Sequence, residues 1–331
     1  MKKLISVVMT TVLGVTLLAG CSPKQEQPQQ PVEQPPKKIT VGILQPMDHT
    51  SLNQIRDTVI AEIEAMGLGD QIEIDYKNAN GDPSTMVSIA SQFIGNNVGL
   101  IVPIGTNAAQ TVAAATKDIP IVFAAVSYPV DAGLVTDLKK TDGNITGVTN
   151  AIAIDEIFNL AKTLTPDASK FGFVYNTGEV NAVSSIDRAK EYCDAHGLEY
   201  VDAVITNTGE LQQTAQSLAG KVHAIFTPND NMVASAMPVL AGEGIKAKLP
   251  VYVGADSMVK DGGFASVGID YTILGKQVAQ MVERILIDGE KISDNPVEVV
   301  AEYAKLINKT TADAIGVPVP EELLKEFIIL E

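Results

Sequence analysis

Tryptophan is absent from this chain, cysteine occurs twice and histidine three times. The missing indole removes the usual stacking platform of a sugar-binding cleft. Two cysteines cannot build a thiolate zinc cluster. The histidines, His49, His196 and His223, stand alone, with no HExxH, no GxSxG and no trustworthy Ser/His/Asp order around them. Catalysis, a metal and a cofactor are therefore not expected. Basic residues are also scarce: 24 Lys and Arg face 40 Asp and Glu, a formal charge of −16. A nucleic-acid partner would demand a basic face.

Long apolar runs are confined to the start. "MKKLISVVMTTVLGVTLLAGC" has a basic tip, an apolar stretch too short to span a bilayer comfortably, and Leu18-Ala19-Gly20 before Cys21. It resembles a lipoprotein signal peptide over 1–20, cleaved so that Cys21 carries lipid. The segment 21–38 is rich in proline and glutamine and reads as an extended tether. With Cys21 committed to lipid, no intramolecular disulfide is expected. Cys193, in the helix-like "SIDRAKEYCDAHG", reads as a small buried hydrophobe.

From Ile39 onward, short β-rich apolar runs alternate with helical segments. Strands are expected at 39–44, 72–77, 100–104, 121–126, 171–175, 199–205, 224–227 and 251–255, and helices at 51–66, 84–95, 106–117, 155–164, 182–196 and 231–242. Continuous apolar strands separated by helices mean parallel sheets covered on both faces. Eight such units are too many for one compact sheet, so the expected fold is α/β, with two doubly wound parallel-sheet lobes and a multi-strand hinge. The first lobe takes 39–148 and 268–294, the second 149–267 and 295–331, with "VEVVAEY" a strand and the tail to "VPEELLKEFIILE" helical. A weak internal repeat supports two similar lobes: "LIVPIGTNAAQTVAAA" aligns with "AIFTPNDNMVASAM", and "IPIVFAAVSYPVDAG" with "LPVYVGADSMVKDGG".

Ligands of open parallel sheets bind beyond the carboxyl ends of the strands. In the first lobe those ends offer Gln45, His49, Thr106, Asn107, Ser127 and Tyr128; in the second, Asn176, Glu179, Asn181, Asp230, Asn231, Asp256 and Ser257. In the repeat, Thr106 falls on Asp230 and Val126 on Asp256. Hydroxyls, amides and a helix N-terminus on one wall suit a carboxylate; acids on the other suit an ammonium. The pattern matches a zwitterion. Each of these residues is equally at home as an ordinary helix cap, and only the group carries the argument.

The motifs "VGILQPMDHTSLN", "GTNAAQT", "VSYPVDAGLV", "NITGV", "VYNTGEVNAVSS", "TPNDNMVAS" and "GIDYTILGKQVAQM" occur in order along nearly the whole mature chain. They resemble the substrate-binding lipoproteins of a subfamily of ABC importers. That resemblance implies a type I periplasmic-binding-protein fold closing on an amino acid, aromatic in characterised members: tryptophan, phenylalanine or tyrosine. It marks Thr106, Asn107, Ser127, Glu179, Asn181, Asp230 and Asn231 as ligand contacts, and Asp256 as an amine partner by fold analogy. Tyr128 and Asn53 depart from the usual pattern, which more often has aspartate at both places. The implied partners are a small-molecule ligand, an ABC permease with its ATPase, and the membrane, reached through lipid on Cys21. The implied location is the extracytoplasmic face of the cell membrane, for a monomer. The alternatives are a ligand-sensing lipoprotein and a binder of a nucleoside or sugar.

Overall fold

The computed structural model describes residues 38–141, 143–300 and 302–331. The leader, Cys21 and all of the tether except Lys38 lie outside the described residues. Among the described residues no helix is long and apolar enough to cross a membrane.

The chain begins with β1 (Ile39–Gln45), α1 (Thr50–Ala65), β2 (Ile72–Asn78), α2 (Pro83–Gly95), β3 (Leu100–Pro103), α3 (Thr106–Ala115), β4 (Ile121–Ala124) and β5 (Ile145–Thr149). It then crosses to α4 (Ile154–Leu164), β6 (Lys170–Asn176), α5 (Val180–His196), β7 (Glu199–Ile205), α6 (Leu211–Leu218) and β8 (Ala224–Thr227). The second lobe continues through α7 (Asn231–Ser235), α8 (Met237–Ala247), β9 (Val251–Val253), α9 (Asp256–Lys260) and β10 (Ala265–Ile269). Next, α10 (Tyr271–Leu286) and β11 (Glu298–Val299) return to the first lobe. Finally β12 (Tyr303–Asn308), α11 (Lys309–Ile315), α12 (Leu323–Glu326) and β13 (Ile328–Leu330) complete the second.

The first sheet has the order β2-β1-β3-β4-β5-β11 and is parallel throughout. The second runs β7-β6-β8-β9-β10-β12-β13. Its first five strands repeat the order of the first lobe, as the internal repeat implied. Every residue of β3, β4 and β8 is buried, which explains their unbroken apolar sequences.

The parallel-sheet expectation needs one correction. The second sheet is mixed, because β12 runs antiparallel to β10. Nor is "VEVVAEY" one strand. Glu298 and Val299 pair with Val148 and Thr149 of the first lobe, and the next strand starts only at Tyr303. The third crossing therefore follows Val299 rather than residue 294. The tail is also not wholly helical: the β-branched run at Ile328 and Ile329 pairs beside β12. The single helix expected over 231–242 breaks at Ala236. Pro238, in the first turn of α8, lacks an N–H and would clash with the carbonyl four residues back.

Local chemistry sets the other helix starts. Asp82, before Pro83, accepts the Thr85 N–H at 2.8 Å, and Asp270 caps α10 by accepting from Thr272 at 2.8 Å. α10 packs along α1 through Gly275, whose hypothetical Cβ would lie 2.7 Å from Thr58 Cβ and 3.2 Å from the Ile55 carbonyl. Gly275→Ala should therefore force the two helices apart and cost about 1–3 kcal/mol. Urea denaturation checks this, with the ligand-facing strand ends unaffected.

Candidate functional site

The strand order places a topological switch between β1 and β3 in one lobe, and between β6 and β8 in the other. The loops after these four strands face one another across a cavity of about 360 Å³. Pro46, Met47 and Asn107 line it from the first lobe, and Thr177, Glu179 and Met232 from the second.

Two helices point their N-termini here with opposite outcomes. α7 is saturated with carboxylate. Asp230 is fully buried and accepts the Val233 N–H at 2.9 Å and the Asn176 N–H at 2.6 Å. Glu179 accepts the Asn231 and Met232 N–H groups, each at 3.1 Å, and side-chain donors from Asn231 at 2.7 Å and Asn181 at 3.1 Å. Burial pushes both acids above the usual carboxylate range, Asp230 the further because the Glu179 charge adds to it. Among the described residues no lysine or arginine pairs with either acid. α3 is the reverse. It starts from Gly105 at φ +83°, has no side-chain cap and carries no acid in its first turn. Its leading N–H groups, beside Asn107, are left for an anion.

Deeper in, a cavity of about 10 Å³ is lined by His49, Leu52, Asn150, Asn181, Asn229, Asn231 and Tyr271, among others. His49 Nε2 lies 3.1 Å from Asn231 Oδ1. Because Asn231 Nδ2 donates to Glu179, its Oδ1 faces the imidazole, so Nε2 carries the hydrogen and Nδ1 is a bare acceptor. Burial lowers the His49 pKa to about 4, keeping the ring neutral. The Ser127 hydroxyl donates to Asn150 at 2.9 Å and accepts from Asn229 at 2.9 Å, while Asn150 donates to the Tyr271 hydroxyl at 3.3 Å. His49 Nδ1, Thr106 Oγ1, Asn181 Oδ1 and Asn229 Oδ1 are buried with no partner.

The lobes are shut. His49–Asn231 is joined by Thr50 to Asp261 at 2.8 Å, Ser51 to Ser257 at 2.5 Å and Arg188 to Asp131 at 3.1 Å, each bridging first and second lobe.

Among the residues expected at the site, His49, Asn107, Glu179, Asn181, Asp230 and Asn231 line the two cavities. Thr106 opens α3 beside them, and Ser127 stands one hydrogen bond behind. Gln45 does not reach the cleft: its amide donates to the Met47 carbonyl and to Asn53, fixing the loop after β1. Tyr128 sits outside, under the Arg188 guanidinium 3.9 Å above its ring. Asp256 is corrected as an amine partner. Lys260 Nζ occupies one oxygen at 2.6 Å and the Ser257 N–H the other at 2.7 Å, and neither cavity includes it. Asp230 likewise has both oxygens on backbone N–H groups, so it contributes charge rather than a free acceptor. Sequence reasoning missed Asn150, Asn229 and Tyr271; the available signal was that each lies within two residues of a strand end. The other histidines are structural, His196 on the Tyr192 carbonyl at 2.8 Å and His223 accepting from the Ser169 N–H at 3.2 Å. Cys193 is buried, and burial pushes its thiol up to about 12.

Two similar α/β lobes shut on a small polar cleft define a solute-binding protein of the type I periplasmic class. The chain belongs to the ABC transporter substrate binding protein family, which it matches over residues 40–328. It is 36% identical over 319 residues to the tyrosine-binding protein of Clostridioides difficile, covering 95% of this chain and 92% of that one. A Streptococcus pneumonia ABC domain in complex with L-Trp is 35% identical, with a TM-score of 0.85 over 89% of this chain and 100% of the other. The ligand-free, open form of a substrate binding protein with adhesive properties from Clostridium difficile is 36% identical. It aligns over 88% and 99%, with a TM-score of only 0.69. At matched identity, this chain superposes better on the liganded relative than on the open, ligand-free one.

Two outcomes follow. In an open cleft His49 would titrate near its ordinary 6.5, against about 4 when shut. Acidification through that window therefore favours opening, by at most about tenfold per pH unit. The upward-shifted Glu179 and Asp230 act in the opposite sense. The difference between wild type and His49→Gln in radius of gyration, followed by small-angle scattering from pH 6.5 to 4, isolates the imidazole: the wild type should open more. Asp256→Ala should leave ligand affinity within about twofold, since its charge is already paired; calorimetry decides.

Proposed function

We propose that this protein captures an amino acid with an aromatic side chain between its lobes and releases it unchanged to an ABC permease and its ATPase. The observation that carries this reading is the polarity of one cavity. Asn107, at the uncapped start of α3, and Glu179, at the doubly capped start of α7, line the same space. The first wall draws a carboxylate and the second a positive charge.

The rest of the cavity supports an aromatic side chain. Met47, Met86 and Met232 line it with Pro46 and Pro83, and thioethers make favourable contacts with aromatic rings. The tyrosine-binding relative and the L-Trp complex point the same way. The Leu-Ala-Gly-Cys21 motif and the tether after it support attachment through lipid to the outer face of the cell membrane.

The test uses the chain's own lack of tryptophan. In the soluble form beginning at Ser22, refolded to strip bound ligand, fluorescence excited at the red edge of indole absorption reports added tryptophan alone. A saturable blue shift, displaced by tyrosine or phenylalanine, is expected. Glu179→Gln should weaken binding by about tenfold or more, as a charged hydrogen-bonding wall becomes neutral. Absence of a shift, and no displacement or thermal stabilisation by any amino acid with the protein folded, would retire the reading.

A further inference from the structure

The three acceptors around the inner cavity ask for a donor. His49 Nδ1, Asn181 Oδ1 and Asn229 Oδ1 belong to residues at least nine-tenths buried that line it, and none has a partner. An unmade hydrogen bond on such an atom costs about 1–3 kcal/mol, so three together need an occupant. The occupant must give hydrogens, and it must be small: about 10 Å³ is the room of a single water. The fully buried Asp230 also lines the space, and among the described residues no lysine or arginine pairs with it or with Glu179. Three acceptors beside a buried acid that no cation pairs describe a primary ammonium better than a neutral water with two hydrogens.

The geometry points to this inner cavity as the ammonium subsite of the ligand, formed by His49 Nδ1, Asn181 Oδ1 and Asn229 Oδ1 instead of by a direct carboxylate contact. The inference rests on the amino-acid reading above and sharpens it. Asn231 lines both the inner and the outer cavity. A ligand Cα held against Asn231 sends its ammonium inward, its carboxylate towards α3 and its side chain into the methionine-lined space. The acidic pair then supplies long-range charge through α7, while neutral groups make the contacts. Selectivity follows. The subsite recognises an unsubstituted –NH₃⁺, because one methyl group on the nitrogen has nowhere to go.

Calorimetry on the soluble form tests it with L-tyrosine and L-tryptophan, their N-methyl derivatives, and des-amino analogues that keep ring and carboxylate. Wild type should lose about tenfold or more on N-methylation and about a hundredfold on removal of the amine. His49→Phe and Asn181→Leu should each shrink the amine-dependent gap, read as the ratio of the two affinities, about tenfold. A loss common to both ligands through the broken His49–Asn231 or Asn181–Glu179 bond cancels in that ratio, and thermal unfolding shows the variant folded. Full affinity for the N-methyl derivatives would overturn the subsite, and this arm needs no variant. So would variants that keep the whole gap, or that weaken both ligands equally, which is the behaviour of a buried structural water. If wild type binds the des-amino analogues and not the amino acids, the amino-acid reading itself fails. If it binds both classes equally, only the subsite fails.

Discussion

The cleft depends on how the first turn of α7 is neutralised. Asp230 and Glu179 occupy the N–H groups of Asn231, Met232 and Val233 between them, fully buried and unanswered by any basic side chain among the described residues. The equivalent helix of the other lobe, α3, begins at Gly105 with nothing on its N–H groups. Two copies of one structural unit thus present opposite signs to the same space: a bare, positive helix N-terminus from α3, and the carboxylates that cover the N-terminus of α7. A ligand bearing both charges completes both walls at once. A ligand bearing one leaves a buried group unmatched, at a cost comparable to the binding itself.

Closure is built from weaker material. The bonds that hold the lobes together join mainly hydroxyls, amides and a neutral imidazole: His49 to Asn231, Ser51 to Ser257, Ser127 to Asn229. Each contributes about 0.5–1.5 kcal/mol net. Such a seam aligns the lobes without locking them, which suits a protein that must let its cargo go. An ion pair in the seam, Arg188 to Asp131, lies at the rim and half-exposed, where water screens it. Keeping His49 neutral belongs to the same arrangement. Charged, it would suffer a desolvation in the shut cleft that the Asp48 charge does not offset, and would favour opening.

The strand-by-strand layout was readable because buried parallel strands must be apolar at every position, as β3, β4 and β8 are. The repeat linking "LIVPIGTNAA" to "AIFTPNDNMV" was real architecture, since β3 and β8 occupy the same place in their sheets. What sequence could not separate were residues of one type in different roles. Asp230 and Asp256 look alike after their strands, yet one caps α7 and the other is paired by Lys260 four residues on. Gln45 and Asn107 are both amides at strand ends; one ties down a loop and the other faces the cavity. The strand expected over "VEVVAEY" shrank to Glu298–Val299, and β13 escaped notice, because pairing, not pattern, defines two or three residues as a strand.

Local sequence determined what depends on neighbours within a few residues: the alternation of strands and helices, the caps at Asp82 and Asp270, and the break before Pro238. It also determined the chemistry available at each strand end. Tertiary structure alone decided which of those groups meet. Asn181, Asn229 and His49 become three bare acceptors around one small space only when the lobes close, because their spacing along the chain says nothing of distance across the cleft.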